Sequence, residues 1–148
     1  MAKINDKKVY RDYTATIAST ILPKREVQQI TLCIRYDGGH AYFDINTFVF
    51  VGTPYALHGA YDIFGDKIDQ KYVITHIASG CICTPQVELE EAILLLKGML
   101  HADIRLSGLT CYADIEKEEY MLERTKAIQV RCALLGTTTT APGYFYNA

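Results

Sequence analysis

The apolar residues of this chain follow two different spacings, one before Thr84-Pro85 and another after it. In the first part they mostly alternate with polar residues, as on a strand with one buried face. In the second part they recur at intervals of three and four, which is the spacing along one face of a helix. The pattern therefore predicts an α+β fold, in which an antiparallel sheet from the N-terminal half packs against two C-terminal helices.

A β-hairpin between about residues 28 and 51 is the most distinct local prediction. Apolar residues alternate with other side chains over residues 30–36 and again over residues 43–51. Asp37-Gly38-Gly39 lies between these runs and contains residues that tolerate the positive φ of a tight turn. The later part of the second run is apolar on both faces, which indicates burial from two sides.

Further strand signals flank this hairpin, so we expect strands within about residues 8–78. Residues 9–22 are rich in threonine, tyrosine and isoleucine and alternate in part, which predicts a strand. Residues 72–77 predict another strand, whereas residues 55–64 show no clean period. Turn chemistry occurs at three places: 52–54, 65–67 and 79–80.

The first predicted helix spans about residues 85–101. The hydroxyl of Thr84 can accept a hydrogen bond from a free amide of the first turn, and Pro85 suits the first helical position. Acidic residues follow near the positive end of the helix dipole, where they are stabilising. The predicted inner stripe consists of Leu89, Ile93, Leu96 and Leu100. Ala92, Leu95 and Met99 widen it, which indicates burial against more than one neighbour.

The second predicted helix spans about residues 115–135. Asp114 can cap its start, and Gly136 is suited to a left-handed end. The predicted inner stripe consists of Met121, Thr125, Ile128, Cys132 and Leu135. A second stripe of Leu122, Val130, Ala133 and Leu134 either widens the core of the same chain or meets another subunit.

Composition indicates one globular domain over residues 1–148. Apolar residues make up 49% and charged residues 22%, a balance that needs no metal or disulfide for folding. Eleven tyrosines stand beside no tryptophan, and tyrosine suits interfaces and half-buried sheet faces. An aromatic tail over residues 137–148 is expected to dock on its own domain or on a neighbour. We therefore expect a homo-oligomer.

Charge and cysteine usage restrict the partners and the compartment. The net charge is −2 with acids and bases interspersed, so duplex nucleic acid is not an expected partner. No apolar run approaches the ~20 residues that cross a bilayer, so no membrane association is expected. Five cysteines at irregular spacing, with no apolar signal core at the N-terminus, predict free thiols in the cytoplasm.

The segment before the first predicted helix holds the most reactive residue types. His76, Ser79, Gly80 and Thr84 lie between a predicted strand and a predicted helix N-terminus, where free amides can hold an anion. The alternative is a plain turn whose side chains serve only to cap the helix. We add two cations to the candidate ligand-binding residues, Arg35 and Arg105.

Catalytic and metal chemistry are weaker interpretations of the same segment. Cys83 beside His76 could form a nucleophile and base pair, although no third orienting residue is apparent. Structural zinc usually requires two cysteine pairs, and Cys81 and Cys83 have no matching second pair. We therefore expect no metal and no cofactor.

These observations favour a non-enzymatic, self-associating binding protein. Its expected ligand is small and anionic, such as a nucleotide-like molecule, held at the sheet–helix junction or at a subunit interface. One alternative is a structural or accessory assembly protein of a larger particle, such as a viral one. The other alternative is a small enzyme that depends on cysteine and histidine.

Overall fold

The computed structural model describes residues 7–36 and 38–136, with side chains described from residue 12 onward. An antiparallel five-stranded sheet occupies the N-terminal half, and helices follow at the C-terminal end, so the predicted α+β fold is confirmed. The aromatic tail lies outside the described residues. The principal elements are α1 (Lys7–Ala18), β1 (Arg25–Tyr36), β2 (Gly39–Phe50), β3 (Tyr55–Tyr61), β4 (Lys67–His76), β5 (Cys81–Ile82), α2 (Leu89–His101) and α3 (Met121–Leu135).

The predicted hairpin is confirmed and is longer than expected. β1 and β2 pair along their whole lengths, from Arg25 opposite Phe50 to Tyr36 opposite Gly39. Gly38 has a φ of +91°, a conformation that glycine adopts without steric cost. The hairpin therefore forms where alternation and turn chemistry agree.

The strand predicted over residues 9–22 is wrong, because this segment forms the helix α1. Tyr13 and Ile17 are four residues apart and thus share one helix face, and Ile17 is completely buried against the helical core. The hydroxyl of Thr16 donates a 2.9 Å hydrogen bond to the carbonyl of Asp12 within the helix. Packing of one face overrides the β-propensity of threonine, tyrosine and isoleucine here.

The strands follow one another in the order β1-β2-β3-β4-β5. β3 takes up the segment that had no clean period, and β4 begins at Lys67, earlier than predicted. The turn between them is held by Asp62, whose carboxylate accepts the amides of Phe64 and Asp66. The amide of Cys33 donates to the Gly80 carbonyl at 3.0 Å, so the sheet curls until the turn before β5 contacts β1.

The two faces of the curled sheet bury different sets of side chains. The face toward the helices contributes Tyr55 and Ile74 to the larger core, where they lie with Leu95, Leu96 and Met99 of α2. The concave face carries a smaller cluster of four buried residues: Ile30, Leu32, Val49 and Ala56. The sheet therefore separates the main core from a second apolar interior.

Helix α2 begins at Leu89 and not at Pro85, so the predicted cap at Thr84 is wrong. Tyr72 and Val87 exchange two backbone hydrogen bonds, of 2.7 and 3.1 Å, which keep the chain extended beyond Pro85. The actual cap is Glu88, which forms a reciprocal capping box with Glu91. Burial is centred on the residues that widen the predicted stripe, since Leu89 is 42% exposed. The buried residues of α2 are Ala92, Leu95, Leu96, Gly98 and Met99.

Helix α3 begins later than predicted, because two short 3₁₀ turns occupy Tyr112–Glu116 and Glu118–Tyr120. It ends at Gly136 in the left-handed conformation, as predicted. The predicted inner stripe is wrong, since Met121 is 53% exposed. The residues that α3 buries are Ala127, Val130, Arg131 and Leu134. The second stripe thus contributes Val130 and Leu134 to the core of the same chain.

Glycine on α2 sets how closely the two helices approach. A β-carbon on Gly98 would lie 2.6 Å from both Leu134 Cδ1 and Val130 Cγ1. Only a glycine leaves the space that these two side chains of α3 occupy. The five cysteines are present as thiols and not as disulfides, as the sequence predicts. In the described part of the chain, no helix combines the length and the apolar character that crossing a membrane requires.

Candidate ligand site

His76, a predicted ligand-binding residue, is buried beneath the turn that follows β4. Its Nδ1 lies 2.8 Å from the hydroxyl of Ser79, which also accepts the amide of Cys81. Burial lowers the pKa of His76, and a hydrogen bond to the Arg105 backbone opposes this effect only in part. The ring is therefore neutral near pH 7 and joins the turn to the loop after α2.

Gly80 and Arg105 also serve the packing of the chain. Gly80 has a φ of +72°, and a β-carbon there would lie 2.7 Å from the Thr31 carbonyl oxygen. The Arg105 Nε donates to Asp103 at 2.8 Å, and its Nη1 donates to the Gly52 carbonyl at 3.4 Å. Ser79, Gly80, His76 and the Arg105 backbone thus lie together, as a structural connection between the sheet and the helical part.

Thr84 and Arg35 lie elsewhere. The hydroxyl oxygen of Thr84 accepts the amide of Ile74 at 3.0 Å, and the cavity that it lines has a volume of only about 10 Å³. Arg35 donates to the hydroxyl of Tyr112 at 2.9 Å and lines a separate cavity of about 320 Å³ near the hairpin tip. The sheet–helix junction at Thr84 therefore offers space for little more than a water molecule.

The two cysteines of the same segment belong to the packed interior of the protein. Cys81 and Cys83 are both buried, and burial raises the pKa of the Cys81 thiol. The Cys83 thiol donates to the Cys81 carbonyl at 3.4 Å. A thiol whose pKa is raised by burial, as that of Cys81 is, is a poor nucleophile. Among the described side chains, no group of three or more histidine, cysteine, aspartate or glutamate residues is placed to hold a metal ion.

A much larger space opens where β2 and β3 separate. Within the described residues these strands are paired at a single position, Val49 opposite Ala56. Farther along, the ring of Phe43 lies against the β3–β4 turn, where a β-carbon on Gly65 would be 2.9 Å from it. The sheet is therefore open between these two contacts, and we call this opening the β2–β3 cleft.

The β2–β3 cleft has a volume of about 670 Å³, within the range of sites for small molecules. Four aromatic side chains line it: Phe48, Phe50, Tyr61 and Tyr72. Arg25 and Lys67 also line it, and of the described residues at the cleft none is acidic. The lining thus combines aromatic surface with positive charge.

The two cations lie on opposite sides of the opening, since β1 and β2 are on one side and β3 and β4 on the other. The guanidinium of Arg25 is 4.8 Å from the ring centre of Phe48, within the range of a cation–π contact. The side chain of Lys67 crosses Gly59, where a β-carbon would lie 2.6 Å from its Cε. Contacts with Phe48 and Gly59 therefore position the side chains of Arg25 and Lys67 beside the cleft.

His58 lies at the wall of the cleft and is 6% exposed. Its Nδ1 is 2.7 Å from the Gly59 carbonyl, which can only accept, so this nitrogen carries the proton. Its Nε2 is 2.8 Å from the Thr75 hydroxyl, which donates to it. Burial lowers the pKa of His58. Both ring nitrogens are therefore engaged within the protein.

Sequence reasoning missed this site because its residues come from four strands, the segment before β1 and helix α2, at irregular spacing. The only local signal was the apolar character of both faces at the end of β2, which we interpreted as burial from two sides. One of those side chains, Phe48, is instead 47% exposed at the cleft. Comparison of the chain with protein-family models, with curated proteins and with solved structures gave no match.

Proposed function

We propose that this chain is a non-enzymatic, self-associating binding protein whose ligand site is the β2–β3 cleft. The observation that carries the proposal is the composition of the cleft, which combines four aromatic rings with Arg25 and Lys67. The site differs from the sheet–helix junction predicted from the sequence, because the cavity at Thr84 measures about 10 Å³.

The ligand class that fits this lining is a small anion with a planar ring, such as a nucleotide. Aromatic side chains stack on the faces of bases, and each stacked base is stabilised by about 1–3 kcal/mol. Arg25 and Lys67 can both donate hydrogen bonds to phosphate or carboxylate oxygens. Because the described lining of the cleft contains cations and no acidic side chain, it favours such a ligand over a cation.

The buried histidines and thiols support binding without catalysis. A general base needs a free nitrogen within reach of the substrate, and both nitrogens of His58 are engaged. His76 is likewise bonded to Ser79 and to the Arg105 backbone. Burial keeps Cys81 protonated. Five cysteines present as thiols and not as disulfides are consistent with a cytoplasmic location.

Titration calorimetry with adenosine monophosphate, adenosine and inorganic phosphate tests the proposal. We expect the monophosphate to bind, and adenosine and phosphate each to bind at least about tenfold more weakly, which is about 1.4 kcal/mol. Arg25→Ala and Lys67→Met should each weaken binding about tenfold. Lys24→Ala and Lys71→Met are matched controls. Lys24 is next to Arg25 in the sequence and Lys71 follows Lys67 by four positions, but neither lysine lines the cleft.

A protein partner is the second candidate function, and exposed apolar side chains favour it. Ile21 is 91% exposed, Val27 66% and Leu89 42%, and the latter two line the cleft. Contiguous exposed apolar surface often marks a protein interface. An accessory protein of a larger particle would bind none of the three probes and would show heat only with a protein partner.

A further inference from the structure

No strand or loop of the described residues pairs with the outer edge of β1 along the first part of the strand. Residues Arg25, Glu26, Val27, Gln28 and Gln29 are all exposed. β1 is the first strand of the sheet, so in the described part of the chain only β2 pairs with it along these residues. Gly80 contacts the edge farther along, at Cys33.

The direction of the backbone groups on this edge follows from two hydrogen bonds. The amide of Cys33 points away from β2, because it donates to Gly80. The carbonyl of Lys24 points toward β2, because it accepts the amide of Val51. Successive residues of a strand point to opposite sides, so the amides and carbonyls of Arg25, Val27 and Gln29 all face outward.

We propose that this edge pairs with the same edge of a second copy, antiparallel and about a twofold axis at Val27. The inference rests on the self-association in the proposed function and names its surface. Val27 then lies opposite the partner's Val27, and Arg25 lies opposite the partner's Gln29. Pairing of the three outward-facing residues would form about six hydrogen bonds between the strands.

The charges along the edge are compatible with pairing to itself. In this register neither Arg25 nor Glu26 faces a like charge, since they lie opposite the partner's Gln29 and the partner's Gln28. Like charges placed directly opposite would be destabilising. The exposed side chain of Val27, at 66%, meets an identical apolar side chain across the axis. An open edge of this kind is normally protected or paired in proteins.

The pairing also joins association to the ligand site. Arg25 and Val27 lie on the paired edge and line the β2–β3 cleft. A second copy therefore lies beside one wall of the cleft and fixes the strand that carries Arg25. A ligand held by Arg25 should strengthen the dimer, and the dimer should strengthen ligand binding by the same factor.

Native mass spectrometry and light scattering of the full chain test the pairing with Val27→Pro. Proline removes the outward amide of residue 27 and leaves the bonds to β2 intact, because those come from the neighbouring residues. We expect a dimer for the wild-type chain and at least about tenfold weaker dimerisation for the variant. An unchanged dimer in a folded Val27→Pro chain overturns the inference.

A charge exchange gives a second measurement that does not depend on proline. Val27→Lys and Val27→Glu should each be monomeric alone, because each places like charges across the axis. An equal mixture of the two should form a heterodimer. Ile21→Lys is the control, since residue 21 is exposed but lies outside the edge, and it should dimerise like the wild type. If Val27→Lys and Val27→Glu each formed a homodimer, the proposed twofold axis at Val27 would be excluded.

Failure of this inference can be separated from failure of the ligand site. Lys67→Met alters the cleft on the side away from β1, so it should bind adenosine monophosphate about tenfold more weakly and keep the dimer. A wild-type monomer that binds adenosine monophosphate would overturn the edge pairing and leave the cleft as a site. A dimer that is abolished by Val27→Pro but never binds the nucleotide would support the pairing and refute the ligand.

Discussion

The side chain of Lys67 lies across Gly59, so that a β-carbon on Gly59 would be 2.6 Å from Lys67 Cε. No positive φ is associated with Gly59, so its backbone also suits alanine. A β-carbon at position 59 would therefore displace Lys67 without straining the backbone. The pair sets the position of one of the two cations at the β2–β3 cleft.

Gly59→Ala should therefore weaken ligand binding without unfolding the protein. The new methyl group displaces the flexible end of Lys67, and we expect adenosine monophosphate affinity to fall about threefold to tenfold. Calorimetry measures the affinity, and thermal melting should show a change within about 1 kcal/mol. Gly59→Ala/Lys67→Met should bind no more weakly than Lys67→Met alone, and an additive loss would contradict the stated cause.

Gly98→Ala should destabilise the contact between α2 and α3. In an exposed helix this change usually stabilises by about 1 kcal/mol, because alanine is the better helix former. Here the methyl group would overlap Val130 and Leu134, and overpacking costs about 1–3 kcal/mol. Urea denaturation measures the net change in the free energy of unfolding that results from these two opposing effects. Adding Val130→Ala should recover part of the loss, whereas a more stable single variant would contradict the packing argument.

Glu123 should hold the loop between α2 and the 3₁₀ turns. Its carboxylate accepts the amides of Arg105 and Leu106 at 2.7 and 2.9 Å. Leu106 is buried with a φ of +52°, a costly conformation that such bonds help to maintain. Glu123→Ala should lower the free energy of unfolding by about 2 kcal/mol, and Glu119→Ala, at an exposed position, by less than about 0.5. Equal effects in urea would exclude this role.

Stability should fall as the pH drops below about 6.5, the usual pKa of histidine. Burial lowers the pKa of His58 and His76 in the folded chain, so the unfolded chain binds protons first. Their contribution is complete above the unfolded pKa and is lost as the pH falls toward the folded values. Each histidine adds a slope of up to about 1.4 kcal/mol per pH unit.

Urea denaturation between pH 7.5 and pH 5 measures this slope. His58→Gln and His76→Gln should each reduce it, and a chain with both changes should be the least sensitive. A slope unchanged by both substitutions would show that other groups cause the acid sensitivity. Measurement of the midpoint and of the urea dependence together separates stability from a change in the denatured state.

The sequence predicts those elements in which local and tertiary preferences agree. Alternation over residues 30–36 and the glycines at 38 and 39 define the β1–β2 hairpin without any distant contact. Gly136 ends α3 for an equally local reason, since glycine adopts the left-handed conformation freely. Where a tertiary contact overrides the local preference, the prediction from the sequence is wrong. The helix α1 forms from strand-favouring residues because Ile17 is buried by distant helices.

The start of α2 and the ligand site depend on contacts that no local pattern contains. Thr84-Pro85 has the chemistry of a helix start, but the backbone bonds between Tyr72 and Val87 keep the following residues extended. The cleft exists because β2 and β3 stop pairing after Val49 and Ala56. A strand that separates from its neighbour can keep the same spacing of apolar residues as a paired strand. The sequence pattern therefore does not show where β2 and β3 stop pairing.

Among the residues that the structure describes, the curled sheet has the form of a ring that is open on one side. The gap lies between β2 and β3, and the bond from Cys33 to Gly80 closes the ring on the other side. Movement of the β1–β2 hairpin away from β3 would also move the Cys33 amide relative to Gly80. We therefore expect hydrogen exchange at the Cys33 amide to speed up when the opening on the far side of the sheet widens.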